Sequence, residues 1–288
     1  MASPGRQEEM IGLLQERSGS SVRRSCRVLG LRRQTYYRRK QGFRMEERDK
    51  EVIEMLHRVT KRFIAWGFWM VFYYLRCNGY TWNHKRVYRV WKQEELHLRL
   101  PPKRPGLRRS YKELLAPERI NEGWAMDFVS DWVVGPNEQA VRIINIMDEC
   151  SRKALWTEAH SSISAKKLIE VLDQVVAWRG APAYIRCDNG PEFISNCLQE
   201  WAQKQDVELR FIQPGKPSQN GLIERLNKTL RVECLNLAWF RNLSELNEQI
   251  QAWSYTYNQE RPHQNLGYKT PDHYEILNQE LYFSVVAA

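Results

Sequence analysis

The stretch Trp124-Ala-Met-Asp127-Phe-Val-Ser-Asp131-Trp-Val-Val134 runs into Gly135-Pro136-Asn137, and its β-branched and aromatic residues read as a strand entering a turn. Aspartate is depleted in strands because it desolvates poorly and packs nothing, so Asp127 calls for a partner group or a cation. Further on, Ala183-Tyr-Ile-Arg-Cys187-Asp188-Asn189-Gly190-Pro191-Glu192-Phe193 reads as a short apolar strand that stops at a tight turn, with a helix opening at Pro191. In Asn220-Gly221-Leu222-Ile223-Glu224-Arg225-Leu226-Asn227-Lys228-Thr229-Leu230-Arg231 the apolar residues recur at helical spacing. Glu224 therefore projects from a helix, with Lys228 and Arg231 at i+4 and i+7 on its face.

Taken singly, Asp127 reads better as a solvated strand-end acid, Asp188 as a turn residue and Glu224 as half of a surface ion pair. Together they form a candidate metal triad. Hard divalent cations such as Mg2+ or Mn2+ take carboxylate oxygens, and two ions about 4 Å apart can clamp the attacking and leaving oxygens of a phosphodiester displacement.

Charge points to the same polyanionic substrate. The chain has 288 residues and a net charge of +10. Residues 1–120 carry 28 Lys and Arg against 12 Asp and Glu, whereas residues 121–288 carry 16 against 22. The first part can neutralise phosphates, and the second is the acidic remainder a carboxylate site leaves. Six cysteines are scattered without a C-x-x-C pair, which argues against a disulfide framework and a thiolate zinc site. The polar N-terminus reads as no signal peptide, and no apolar run reaches membrane-spanning length. A soluble cytoplasmic protein is expected.

Five segments follow from patterning. Residues 1–45 hold a helix over 8–17, then a helix closed by Leu29-Gly30-Leu31 and a second, basic helix, a helix-turn-helix arrangement that offers Arg32, Arg33, Arg38 and Arg39 to DNA. Residues 46–98 predict a second helical domain, in which Asn83 caps a helix that keeps Val87, Val90 and Trp91 inside and Lys85, Arg86, Arg89 and Lys92 outside. The aromatic run at 66–74 is read as core. Residues 99–120 form a basic, Pro-rich linker, residues 121–240 an α/β core in the order strand, strand, strand, helix, strand, helix, strand, helix, and residues 241–288 a helical tail. The clearest core helix, 164–178, presents Leu168, Val171, Leu172, Val175 and Trp178 on one face.

The segment Trp124–Tyr274 resembles the integrase-like catalytic core of bacterial insertion-sequence transposases of the two-reading-frame kind. The resemblance is carried by Trp124-x-x-Asp127-Phe-x-x-Asp131, Asp188-Asn-Gly-Pro-Glu-Phe193, Phe211-Ile-Gln-Pro-Gly-Lys-Pro-Ser-Gln-Asn220, and Tyr257-Asn-x-x-Arg261-Pro-His263-x-x-Leu266-Gly267-x-x-Thr270-Pro271. It implies a ribonuclease-H-like core, a mixed five-stranded sheet flanked by helices, with Asp127, Asp188 and Glu224 as catalytic ligands of two Mg2+ or Mn2+ ions. It also implies helix-turn-helix domains ahead of the core and a reaction that cuts element ends and joins them to target DNA. Lys228 and Arg231 would steer the DNA ends. Double-stranded DNA is the expected partner, held by a dimer or higher assembly, and fusion to an upstream reading frame fits the two-frame kind. The competing readings are a DNA-binding regulator or domesticated remnant whose core is only a scaffold, and a plain ribonuclease-H-type nuclease.

Overall fold

The computed structural model describes residues 4–98, 117–134, 138–213 and 220–282. The linker expected at 99–120 lies almost wholly outside the described residues, as does most of the Pro-Gly-Lys-Pro stretch after Phe211. The elements in chain order are α1 (Pro4–Ser18), α2 (Val22–Val28), α3 (Arg33–Arg62), α4 (Phe68–Cys77), α5 (His84–Gln93), β1 (Gly123–Val133), β2 (Gln139–Asp148), β3 (Ala154–His160), α6 (Ala165–Arg179), β4 (Tyr184–Cys187), α7 (Asn196–Lys204), β5 (Glu208–Phe211), α8 (Gly221–Glu233), α9 (Leu243–Gln259) and α10 (Pro271–Leu277). Two compact units result, one from residues 1–62 and 83–96 and the other from 63–82 and 97–288.

In the helical unit the side chain of Ser21 caps α2 by accepting from the Arg24 N–H. The helix ends in a turn where Gly30 sits at φ +64°. There Leu31 N–H donates to the Cys26 carbonyl at 2.8 Å and Gly30 N–H to that of Arg27 at 3.2 Å, so two helix-end carbonyls are satisfied and the chain reverses. Ile11, Cys26 and Tyr36 form the small core beneath this turn. The expected boundary at residue 45 is absent. α3 runs unbroken for 30 residues, because no proline interrupts it between 33 and 62. α5 carries the expected cap, Asn83 accepting from Lys85 N–H at 2.9 Å, and it buries Val87, Val90 and Trp91.

The packing also departs from a 46–98 domain. α4 belongs with the sheet-bearing unit, where Tyr73 stacks on Tyr268 with ring centroids 3.6 Å apart. The aromatic run is core material there, as its composition predicts: Val71, Phe72 and Leu75 are buried.

The sheet has strand order β3-β2-β1-β4-β5, with β1 central, antiparallel to β2 and parallel to β4. Side chains alternate across β1. Ala125, Val129 and Val133 join one core with α8 and α9, and Trp124 and Met126 join another with α6 and α7. On α6 the inward residue of the last turn is Arg179, not Trp178, which is 53% exposed. Arg179 turns in because carboxylates await it: Asp148 at 3.1 Å on β2 and Glu275 at 2.6 Å on α10. The helix expected at Pro191 instead opens at Asn196, where Ser195 caps it, because residues 190–194 form a turn that buries Phe193 against the Phe128 ring, centroids 4.7 Å apart.

The outer edge of β3 is closed by side chains. Asn247 accepts from Ala159 N–H at 2.8 Å and donates to its carbonyl at 2.9 Å, and Asn258 does the same at Ala154 at 2.9 and 2.8 Å. Between them Gln251 donates to the Thr157 carbonyl at 3.2 Å. Primary amides copy the donor and acceptor pair of a peptide group, so α9 acts as a sixth strand's hydrogen-bonding edge and hides one that would otherwise template aggregation. The β5 edge is short and carries Glu208 and Arg210, which blunt it by charge. Asn258→Ala is therefore expected to lower unfolding free energy by about 1–3 kcal/mol, since two backbone groups lose partners. Asn247→Ala with Asn258→Ala should also increase aggregation on heating. Chemical denaturation and light scattering measure both, and an unaltered midpoint would show the amides to be incidental.

Candidate active site

The sheet brings two acids level. Its parallel register pairs Ala125 of β1 with Arg186 of β4, so two further residues along each strand set Asp127 beside Asp188. Asp188 stands immediately after β4, with its Oδ1 accepting the Gly190 N–H at 2.9 Å. Gly190 has no room for a side chain: a Cβ there would lie 3.0 Å from Asp188 Oδ1 and 3.3 Å from the Phe193 ring. Glu224 comes from α8, which lies on the Asp127 face of the sheet, and its side chain is exposed.

Asp127 itself is fixed by an amide chain. Its Oδ1 accepts its neighbour Phe128 N–H at 2.8 Å, and its Oδ2 accepts Asn227 Nδ2 at 2.7 Å. Asn227 Oδ1 in turn accepts Asn145 Nδ2 at 2.8 Å. Asn145 is fully buried on β2, directly opposite Asp127 in the antiparallel register. The chain ties strand, neighbouring strand and helix to one carboxylate. Each Asp127 oxygen keeps a further lone pair for a cation.

Burial pushes the Asp127 carboxyl from its usual 3.8 up to about 6, and the charges of Asp188 and Glu224 push the same way against the hydrogen bonds from Phe128 and Asn227. The three acids are thus near enough to repel. Among the described residues no three acids, histidines or cysteines already converge around a common point. The chemistry of the three side chains, carboxylate oxygens with Asp127 partly desolvated and Glu224 exposed, fits a hard divalent cation.

The other anticipated residues divide. Arg32, Arg33, Arg38, Lys85 and Lys228 are exposed, and the side chain of Arg39 lies outside the described residues. Arg86 and Arg89 are not free on the surface. They bond buried Asp49 at 2.7 and 2.5 Å, and although burial works against it, these guanidinium groups hold the Asp49 carboxyl below its ordinary range. Arg231 folds back from the Glu224 face to donate to the Ser130 carbonyl at 2.9 Å, 3.5 Å from Asp131. The Glu224 to Lys228 ion pair that spacing allows is not formed. Sequence reading missed Asn145 and Asn227; the available signal was an amide in the apolar run Ile143-Ile-Asn-Ile-Met147, and a second one three residues after Glu224.

Comparison with known proteins bears on the chain as a whole. The sequence signatures described as "Integrase core domain" match residues 117–217 and 205–271. The chain is 34% identical over 262 residues to an uncharacterized 31.7 kDa protein of insertion element IS407 of Burkholderia multivorans, covering 91% of this chain and 92% of that one. It is 33% identical over 267 residues to an uncharacterized 39.2 kDa protein of insertion element IS476 of Xanthomonas euvesicatoria, covering 92% and 75%. It is also 26% identical to the transposase InsD of insertion element IS2 of Escherichia coli, covering 78% of each chain.

The Asp127 environment has a measurable consequence. A carboxyl with a raised folded-state pKa loses stability as pH climbs through about 6, because it must then ionise in a desolvated site. Asp127→Asn should raise the melting temperature above pH 6 in metal-free buffer and leave it unchanged below pH 4. The amide chain can reverse in that variant, and Asn227 would then donate to Asn145 Oδ1, which has no hydrogen-bond partner otherwise. In the wild type, added Mn2+ should recover the lost stability, less so as protons compete below pH 6. Scanning fluorimetry across pH decides it, and a variant no more stable than wild type at pH 8 refutes a strained charge at Asp127.

Proposed function

We propose, for a chain that belongs to the insertion-element transposases with an integrase core, that Asp127, Asp188 and Glu224 bind two Mg2+ or Mn2+ ions and that this site cuts the ends of its element and joins them to target DNA. The enzyme class is that of the DDE-type polynucleotidyl transferases, and the family is metal-dependent and acts on DNA. The observation that supports the residue assignment is a partly desolvated carboxylate inside the central strand, held by Asn227 and lying near enough to Asp188 and Glu224 to feel their charges.

Bound ions supply Lewis acidity at the phosphoryl oxygen and charge for the attacking and leaving oxygens. The chain's own part is preparation. Asn227 and Asn145 aim Asp127, the Gly190 N–H aims Asp188, and the half-buried setting withholds water that would otherwise solvate the acids. Water attack on the element's phosphodiester would release a 3′-hydroxyl, and attack by that hydroxyl on a target phosphodiester would form one bond as another breaks. A catalytically silent regulator would not need a desolvated carboxylate set beside two further acids, and a plain nuclease would not need the basic helical unit.

Exposed Arg32, Arg33, Arg38, Lys85 and Lys228 are assigned to DNA phosphates, with Arg39 assigned by its place in the same basic run. Arg86, Arg89 and Arg231 are assigned to holding structure, since each is committed to a protein partner. Two ends must be joined together, so the working species is a dimer or larger assembly on DNA, acting at the bacterial nucleoid, and the two-frame relatives suggest fusion to an upstream product. No helix among the described residues is long and apolar enough to cross a membrane.

Asp188→Asn and Glu224→Gln should each abolish Mn2+-dependent nicking of duplexes carrying element ends while DNA binding persists. Asn227→Ala, which removes only the support of Asp127, should reduce nicking by about 10–100-fold. Full activity in either acid variant would remove that residue from the site. A separate contrast concerns the cations: Arg33→Glu should weaken DNA binding and flatten its salt dependence with no change in melting temperature, whereas Arg86→Ala should chiefly lower the melting temperature. Gel shifts at several salt concentrations with parallel melting curves distinguish the two, and the reverse pattern would invert the assignment.

A further inference from the structure

On the sheet-bearing unit a cavity of about 380 Å³ opens between α4, α8, the β2–β3 turn and the loop after α9. Arg152, Arg225 and Arg261 reach its wall, and exposed Gln264 and Asn265 stand at its mouth. Arg261 is already neutralised, its Nε donating to both Glu233 oxygens at 2.9 and 3.1 Å. His263 is kept neutral, because burial and then the Arg261 charge push it down to about 3.

Arg152 and Arg225 differ. Among the described residues neither forms an ion pair, and the Nε and Nη1 groups of Arg152 are shut off from water with no hydrogen-bond partner. Burial works against the Arg152 charge and the nearby Glu149 charge offsets it in part, while the two orphaned donors keep a desolvation cost. Its backbone adds to the strain, since Arg152 sits in the turn at φ +62°, a left-handed conformation uncommon for a large side chain. Strained residues of this kind cluster at active sites and ligand clamps.

We propose that this cavity is a phosphate-binding site, in which Arg152 and Arg225 clamp a backbone phosphodiester of the DNA on which the enzyme acts. Guanidinium groups match phosphate oxygens in a planar, bidentate geometry, and the volume admits one nucleotide's phosphate and sugar. DNA is favoured over a free phosphate because Arg225 follows Glu224 on α8, about 100° round the helix from it, so the cavity adjoins the proposed acid site. The choice of DNA rests on the functional reading above. The choice of phosphate does not. The Tyr257–Pro271 segment gains a role from this: Arg261 pairs away its own charge, the buried ring of His263 stays uncharged, and Gly267 at φ +62° turns the chain so that the loop walls the cavity.

The test uses the full chain in phosphate-free buffer of constant ionic strength, with inorganic phosphate and a short DNA duplex as separate probes. Phosphate should raise the melting temperature of the wild type by several degrees and of Arg225→Ala by much less. Arg152→Met should melt higher than the wild type before phosphate is added, because an unpaired buried cation has been removed, and should gain nothing from phosphate. With DNA, Arg225→Ala should flatten the slope of log affinity against log salt by about 0.9, one phosphate's worth of released counterion. An equal phosphate response in all three proteins, or an Arg152→Met that melts lower than wild type, overturns the site. A phosphate response that depends on both arginines with an unchanged DNA slope overturns DNA as the source and leaves a free phosphate. Acid variants that still nick DNA would defeat the metal assignment without moving any of these readouts.

Discussion

A carboxylate in the middle strand of a sheet is hydrated only in part, and the arrangement around Asp127 follows from that constraint. β1 is flanked by β2 and β4, and its Asp127 face lies under α8. The carboxylate accepts two hydrogen bonds, from its neighbour's N–H and from Asn227, but hydrogen bonds alone do not offset burial and two neighbouring acids, so its proton is held to about 6. A site in this condition is poised for a divalent ion, whose charge removes the repulsion and the desolvation penalty together. The fold stores the strain by over-determining the position of the acid: the register sets Asn145 opposite, and Asn145 holds the helix amide that holds the acid.

Elsewhere the structure separates cations that look equivalent in the chain. Arg86 and Arg89 lie one turn apart on a helix with strongly basic neighbours, as a phosphate-binding pair would. A single buried acid, Asp49, claims both, and a buried carboxylate released by removing them would be left without compensation. Among the described residues Arg32, Arg33 and Arg38 meet no such competitor and are exposed, where they can exchange counterions for phosphates. Net charge therefore overstates the cations available to a ligand.

The order of strands and helices through the core was legible because it rests on local signals: alternation, helical period, capping side chains such as Asn83, and turn residues such as Gly30. The candidate acids were picked out only as a group, since each alone has an ordinary reading and it is the three contexts together that single them out. What escaped was set by partners distant in sequence. Asn227 supports an acid 100 residues away, and Asn258 closes a strand edge 104 residues away. Trp178 fits the apolar period of α6, but Arg179 faces inward because Asp148 and Glu275 are there to receive it. Pro191 satisfies the rule for a helix start, yet stacking of Phe193 on Phe128 keeps the next residues in a turn until Ser195. Periodicity cannot see any of these contacts.

α8 shows how much a single helix can be asked to do when its faces are assigned to different tasks. Ile223, Leu226 and Leu230 anchor it to the sheet, and that anchor is the reason its polar residues are positioned at all. Glu224 is exposed yet close enough for its charge to raise the Asp127 pKa, while Asn227, three residues on, reaches the sheet acid directly. Arg225 turns to the cavity beyond, and Arg231 returns to β1 and clips the far end of the helix to Ser130. Because a rigid helix transmits displacement along its length, a change at any of these contacts moves the others. The apolar anchor sets where Glu224 and Asn227 stand relative to Asp127, and the Arg231 clip adds a tie to β1 two turns further on.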